Sequence, residues 1–518
     1  MAYFYVGGDR DQLFLMPTSM RDWLDEGHLA WFVIDLVGRV DTAAFHARHP
    51  NDGPGRPAYD PDMMLALLFY AYGTGVRSSR RIEAACRTDA AHRVICGGAT
   101  PDHATIARFL VDHQAAIEAV FVDVLRLCAA AGLVSVGTIA IDGTKIGADA
   151  ALDKNRGPEW IRAEVERILA EALATDAAED AQPGLFGADE LPAELSTRTG
   201  RLARLEAALA EIEAQDAAAR AEAEERAARA RAVATEGRKL AGRKPKDPHA
   251  ARARAEAEYT AALARAEAKA AERTAKEQAA MAAGGKLRGR RPRLDDSVER
   301  AAAALEAARA AANAAAPAAA QANVTDPDSR IMKTASGWGQ SYNAQAAVNE
   351  HQIVVACAVT QDANDVHQYQ PMVTAAQDAL AAAGITEPIG MVLADAGYWS
   401  DDNATAKGPE RLIATLKDWK QRRAAREMGT TSGLPPEDAS TLEAMEHRLR
   451  TTQGAHTYAQ RSHTVEPVFA DHKENRGWRG FRRRGLPAVR SEWALMNTSH
   501  NIAKLFGHRL AHDTPALA

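Results

Sequence analysis

The apolar positions of the chain change their period twice, and those changes divide it. From the start to about residue 130 the spacing is helical: Met63, Met64, Leu65, Leu67, Leu68 and Phe69 follow the helix-opening triplet Asp60-Pro61-Asp62. SSRRIEAACRTDAAHRVI offers a Ser cap and a helical stripe, and PDHATIARFLVDHQAAIEAVFVDVLRLCAAAGL opens on Pro-Asp and stops at Gly132. Helix, tight Gly-containing turn and helix is the outline of a DNA-binding module, with Arg80, Arg81, Arg87 and Arg108 as phosphate contacts. A plain helical bundle with solvated arginines has the same outline, and spacing alone favours it. At Val134 the period shortens. VSVGTIAIDGTKIGADA is rich in Val and Ile and predicts a mostly buried strand that runs into a turn at Asp142-Gly143.

An α/β pattern that begins there breaks off at about residue 157. Residues 157–325 are dominated by Ala, Glu and Arg, and Tyr259 is the one aromatic between Phe186 and Trp338, so no ordinary core can form from them. Leu202, Leu205, Leu209 and Ile212 follow 3-4-3 spacing, and Ile161, Val165, Ile168 and Leu169 nearly do, which predicts long helices paired as a coiled-coil hairpin. KLAGRKP at 239–245 recurs as KLRGRRP at 286–292, either a solvated linker or a patch for DNA phosphates. Strand-like sequence resumes in SGWGQSYNAQAAVNEHQIVVACAVT, a hairpin turning near Asn349-Glu350, and a helix follows at QPMVTAAQDALAAAG. IGMVLADAGYWS is a second buried strand that ends on an aspartate, Asp395, and a polar helical stretch fills about 402–455. Trp338 and Trp399 read as core.

Composition narrows the partners. At 518 residues the chain has room for roughly three domains. A net charge of -6 gives no whole-molecule attraction to nucleic acid, so a polyanion must be met by local patches. Cys86, Cys96, Cys128 and Cys357 form no CxxC pair and predict buried thiols of a reducing compartment. The first residues lack a secretory h-region and no apolar run reaches 18 residues, so a cytoplasmic protein is expected, with no membrane partner.

The candidate chemistry lies in three carboxylates. Asp142 and Asp395 are each an ordinary turn or cap residue when taken singly. Together, at the ends of two neighbouring parallel strands, they suit Mg²⁺ or Mn²⁺, because oxygen-ligated divalent ions prefer shared carboxylates and two-metal phosphoryl transfer places two ions about 3.5–4 Å apart. Glu466 supplies a third ligand if TVEPVFADHKENRG is a helix, with Val465, Phe469 and His472 on one stripe and Glu466 with Lys473 on another. Arg476, Arg479, Arg482, Arg483 and Arg484 then neutralise flanking DNA backbone, and Trp478 and Phe481 are placed to stack on an unpaired base. His103, His367, His463 and His472 lack partners at zinc spacing and are expected in surface or core roles.

The succession IAIDGTKI, VLADAGY and YAQRSHTVEPVFADHKENRGWRGFRRRG resembles the DDE transposases of bacterial insertion sequences, in the group marked by a Tyr-Arg-Glu-Lys signature. GRPAYDPDMMLALLFYAYGTGVRSSRRIEAACRTD with PDHATIARF is similar to that group's N-terminal domain, closest to the insertion-sequence 1182 family. The likeness covers everything except the Ala/Glu/Arg segment. It implies a ribonuclease-H-like α/β catalytic domain over 131–156 and 326–505, a helical DNA-binding domain over 1–130, a helical insertion at 157–325 and a tail from 506 to 518. It also implies that Asp142, Asp395 and Glu466 hold two Mg²⁺ or Mn²⁺ ions, and that Tyr458, Arg461 and Lys473 hold DNA phosphates. One interval departs, since four residues rather than three separate Arg461 from Glu466. The expected activity is cleavage at terminal inverted repeats and strand transfer into target DNA, by a homodimer bound to both ends. A nuclease of the same fold without strand transfer and a non-catalytic DNA-binding descendant are the alternatives.

Overall fold

The computed structural model describes residues 19–47, 58–179, 198–235, 248–282, 296–314, 320–334, 337–416 and 429–512. Both KLAGRKP-like repeats, and residues 513–518 of the expected tail, lie outside them. The chain forms two compact units, residues 1–154 with 328–518, and residues 155–327.

The first unit opens with helices. α1 (Leu29–Val37), α2 (Ala43–His46), α3 (Pro61–Gly73), α4 (Ser79–Thr88), α5 (Ala90–Ile95), α6 (His103–Asp112) and α7 (Gln114–Ala130) precede the sheet. Asp60 caps α3 by accepting from the Asp62 amide, and Pro61 sits where a helix has no amide to lose. Leu65 to Tyr72 are all buried, so α3 has apolar contacts around nearly its whole circumference. Leu36, Leu67 and Val124 of these helices share one apolar cluster with Ile141, Val392 and Trp493 of the α/β part. The helical region and the sheet therefore have one core between them.

β1 (Thr138–Gly147) is central. The long β5 (Gly337–Asn349) pairs with it antiparallel from Ile139↔Asn349 to Gly147↔Ser341, and β7 (Met391–Ala394) pairs parallel on its other side. β8 (Glu410–Ile413) extends the sheet parallel to β7, while β4 (Arg330–Thr334) and β6 (Val354–Thr360) both pair with β5. Two expectations change here. The chain does not turn at Asp142-Gly143: β5 holds β1 extended for five more residues, and only the parallel ladder stops there, at Ile141↔Ala394. β8 lies in the stretch expected to be helical, because four residues reading Glu-Arg-Leu-Ile show no period to detect.

After α12 (Tyr369–Ala382), α13 (Asp401–Thr405), α14 (Thr441–Arg450), α15 (Thr452–Ala459) and α16 (Arg461–Ala470), the helix α17 (Leu486–His512) crosses the core. Its segment from Ser491 to Ile502 is buried although much of it is polar. Each polar group has work there: the Asn501 side chain donates to the Val354 carbonyl at 2.8 Å and accepts from the Val354 amide at 2.9 Å, so it completes the edge of β6 as a neighbouring strand would. The Trp493 indole donates to the Gln345 carbonyl at 2.9 Å. The expected boundary at residue 506 falls inside this helix, which continues to His512.

In the second unit, β2 (Asn155–Arg156) pairs antiparallel with β3 (Ala322–Asn323), so the chain enters and leaves it at adjacent residues. Between them run α8 (Pro158–Glu179), α9 (Arg198–Thr235), α10 (Pro248–Ala282) and α11 (Asp296–Ala314). Ile161, Ile168, Leu205, Ala208, Ile212 and Ala322 form its apolar seam, flanked by Val165 and Leu209, as the heptad spacing predicts. The rest is charged surface with helical i,i+4 pairs such as Arg254–Glu258 at 2.9 Å and Arg273–Glu277 at 3.1 Å.

Candidate active site

Asp142 lies one residue beyond the last rung of the parallel β1–β7 ladder, and Asp395 is the first residue after β7. The shared register Ile141↔Ala394 thus sets the two aspartates side by side where β7 ends and a gap opens beside β1. The Gly397 amide donates to Asp395 Oδ1 at 2.8 Å and the Gly143 amide to Asp142 Oδ1 at 2.9 Å, which fixes both carboxylates.

Glu466 comes from α16. Val465, Phe469 and His472 are buried on one side, as their spacing predicts, and Glu466 is left exposed on the other. The helix then widens into a π-helical turn over Asp471–Asn475, a distortion common at functional sites. Arg461 opens α16 and joins the trio: one guanidinium nitrogen donates to Asp142 Oδ2 at 2.5 Å and the other to Glu466 Oε1 at 2.9 Å. One planar cation therefore reaches two of the three carboxylates, and the extra residue before Glu466 does not prevent it. Tyr458 donates to the Ala394 carbonyl at 3.3 Å, beside Asp395, and the Lys473 amine donates to the Thr144 hydroxyl two residues beyond Asp142.

The electrostatics fit a cation. Burial pushes the Asp142 carboxyl up to about 6; Asp395 and a further carboxylate, Asp365, add to the rise, and Arg461 opposes it. Desolvation lowers the Lys473 amine, while Asp142 pulls it the other way. Among the described residues the three carboxylates are not a group whose oxygens all lie within 4.8 Å of one another. The hold of Asp142 and Glu466 on Arg461, and the mutual repulsion of Asp142 and Asp395, mark negative charge that a cation would relieve. The donor set, all carboxylate oxygen, suits Mg²⁺ or Mn²⁺ rather than a softer metal. Two other groups do lie that close, Asp471 with His472 and His500, and His46 with Asp60 and Asp62. In the first, Asp471 is bonded to Arg476 at 2.8 Å, and burial lowers both histidines, which fits the core role expected of His472.

Asp365 escaped the sequence reading. Its Oδ1 accepts from Asn343 at 2.7 Å, Gln345 at 2.8 Å and Lys145 at 3.2 Å, and Gln345 in turn accepts from the Tyr398 hydroxyl. A Cβ on Gly143 would stand 2.6 Å from Asp365 Oδ1, and one on Gly397 would stand 3.3 Å from Oδ2. Gly143, which reads as turn punctuation, instead leaves room for Gln345 and Asp365, and Gly397 leaves room for the Asp395 carboxylate with Asp365 behind it. Two Asp-associated glycines were the available signal.

The basic segment divides. Trp478 is 0% exposed and Phe481 2%, so neither can stack on a base. Trp478 packs edge-on against His472 in the core, with the Arg476 guanidinium 5.2 Å from its ring centre. Arg476 is itself mostly buried against Asp471 and serves the fold. The sequence shows an aromatic among arginines; only the packing shows that the aromatic supports the loop. Arg479 and Arg482 are exposed, Arg479 within 2.5 Å of Glu474, and Arg484 is bonded to Asp149 at 2.9 Å. The segment is anchored from beneath by Arg77, missed in the sequence, which donates to the carbonyls of Gly480 at 2.8 Å and Gly477 at 3.1 Å. Glu492, fully buried, accepts from the amides of Arg482 at 2.9 Å and Arg483 at 3.1 Å and faces Arg77 at 3.5 Å. Arg80, Arg81 and Arg108 are exposed on α4 and α6, away from any described ion pair, while Arg87 pairs with Glu83.

Two family models match the chain: a transposase domain (DUF772) over residues 18–112 and a transposase DDE domain over residues 429–506. The first covers the helical region and the second the stretch that carries Glu466, Arg461, Lys473 and the basic segment. These matches support a transposase, an enzyme that cleaves and transesterifies DNA, and imply DNA as its partner. Enzymes of this kind use divalent metal ions, generally Mg²⁺. No curated protein and no solved structure matches. Among the described residues no helix is long and apolar enough to cross a membrane, and all four cysteines are free thiols.

Proposed function

We propose that the chain is the transposase of an insertion sequence related to the 1182 family, with a ribonuclease-H-like catalytic core in which Asp142, Asp395 and Glu466 act together. The observation that carries this is the guanidinium of Arg461 held between Asp142 and Glu466 while the strand register sets Asp395 beside Asp142. Asp142, Asp395 and Glu466 would hold Mg²⁺ or Mn²⁺, two ions for this chemistry, which would activate water or a 3′ hydroxyl and stabilise the leaving oxygen. Arg461 and Lys473 stand at the rim of the acidic site, where a scissile phosphate would meet them, and Tyr458 braces the end of β7. Arg479, Arg482 and Arg484 would follow the backbone of the flanking duplex, Arg483 having both terminal nitrogens buried, and Arg80, Arg81 and Arg108 that of the inverted repeat. The described residues give no dimer, but joining two ends to one target calls for a homodimer on DNA. The helical unit, 155–327, is proposed as an accessory to assembly.

The test is cleavage and joining of duplexes that carry the DNA flanking the gene. Asp142→Asn, Asp395→Asn and Glu466→Gln should each abolish Mg²⁺-dependent cleavage and keep DNA binding. Full cleavage by any of the three removes that residue from the site. Cleavage by the wild type with no joined product would mark a nuclease.

A further inference from the structure

Among the described residues the exposed tryptophans, Trp160 and Trp338, lie outside the basic segment. Trp338, expected in the core, is 65% exposed, and Ile331 is 49% exposed. Both lie on the β4–β5 ribbon, where Lys333 pairs directly with Trp338 and Ile331 with Gln340, so Ile331, Lys333 and Trp338 belong to one face. Beyond Ser341 no other strand lies beside the ribbon among the described residues: β1 ends at Gly147↔Ser341 and β6 at Asn343↔Thr360. An edge ribbon that shows a tryptophan and an isoleucine to water is a liability unless something covers it.

The charge of the ribbon says what covers it. From Arg330 to Ser341 the chain carries Arg330 and Lys333 and no acidic residue. Its base is stitched to the cationic segment: the Ala148 amide donates to the Gln340 carbonyl at 2.8 Å, Gly147 bridges to Gly480, and the Leu486 amide donates to Asp328 at 2.7 Å. Lys473 on Thr144 and the Arg479 carbonyl beside Gly147 lie along this path, so the backbone of the basic segment runs from the acidic site to the ribbon. Ala346 faces Asp142, and Trp338 lies eight residues further along β5. At about 3.4 Å per residue that is about 27 Å, or roughly eight base pairs of duplex. A two-stranded ribbon fits the major groove of B-DNA.

We propose that the β4–β5 ribbon is a DNA-groove element, entering duplex DNA roughly eight base pairs from the phosphate at Asp142, with Lys333 on the backbone and Trp338 and Ile331 against base edges. This rests on the transposase reading and adds a contact that neither matched domain contains, since both lie outside residues 330–341.

The experiment uses the full chain and a fluorescein-labelled 30-base-pair duplex of mixed sequence. Trp338→Ala should lose roughly tenfold in affinity, the size of one lost base contact, with the salt slope unchanged. Lys333→Ala should flatten the slope of log K against log salt by about 0.9. Both side chains are exposed, so both variants should melt with the wild type. A photoreactive benzoylphenylalanine at position 338 should crosslink to the duplex. If the wild type binds while Trp338→Ala and Lys333→Ala bind equally well at every salt and no DNA crosslink forms, the ribbon is not a groove element and the transposase reading stands. Crosslinking of position 338 to a second copy of the chain instead of DNA would assign the face to self-association and also overturn the proposal. A wild type that binds no duplex at low salt sinks both readings.

Discussion

Replacing Asp142 by Asn removes a charge that the fold holds at a cost. The Asp142 carboxyl titrates at about 6 in the folded protein, against about 3.9 when unfolded. A carboxylate whose folded value is raised binds its proton more tightly when folded, so it is neutral in the fold at low pH and destabilises it once ionised. That penalty is absent below about pH 4, grows between about 4 and 6, and is complete above 6, where two units amount to about 3 kcal/mol. The side chain is only 17% exposed, so little of this is lost to solvent screening, although Arg461 already offsets part of it. Asn mimics the neutral acid. Asp142→Asn should therefore be the more stable protein at pH 8 by up to about 3 kcal/mol, or about 4 °C in melting temperature for a unit of this size, and match the wild type near pH 4. Thermal melts from pH 4 to 8, read by intrinsic fluorescence without divalent metal, give the comparison. Adding 10 mM Mg²⁺ at pH 8 should raise the wild-type melting temperature and leave Asp142→Asn where it was. A variant that melts at or below the wild type at pH 8, or a difference that does not shrink toward pH 4, would refute the reasoning that the site holds strained negative charge.

Arg77→Leu should be severely destabilising, by about 3–5 kcal/mol in denaturant titration, because it leaves Glu492 buried without its cation; Arg77→Leu with Glu492→Leu should recover much of that. Trp478→Ala should cost about 3–5 kcal/mol of stability as a core cavity, while the protein that remains folded binds DNA as the wild type does, the reverse of what base stacking would give. Excising residues 157–325 and joining the adjacent ends through a short Gly/Ser linker should leave a soluble protein with an unchanged far-ultraviolet melt of its α/β part; loss of that transition would show the helical unit to be part of the core.

Periodicity and residue type settled a good deal without any contact. Asp60-Pro61 opens α3 by local chemistry, Leu205 and Ile212 lie on the seam of a helical hairpin, and Val465, Phe469 and His472 mark the buried stripe that leaves Glu466 exposed. These are properties of one element at a time, which is what a repeat of two or 3.6 residues encodes. Register across the sheet is of another kind. That β1 runs on through Asp142-Gly143 depends on β5, about two hundred residues away, and that position 143 is a glycine depends on Gln345 and Asp365 occupying its side-chain space. The fates of two tryptophans separate the levels most clearly. Trp478 sits among arginines in the sequence yet is sealed in the core against His472, while Trp338 sits among Gly and Ala yet stands in water on a ribbon. Burial is decided by which surfaces meet after the chain has folded, and a linear pattern gives the face of an element without naming what lies against it.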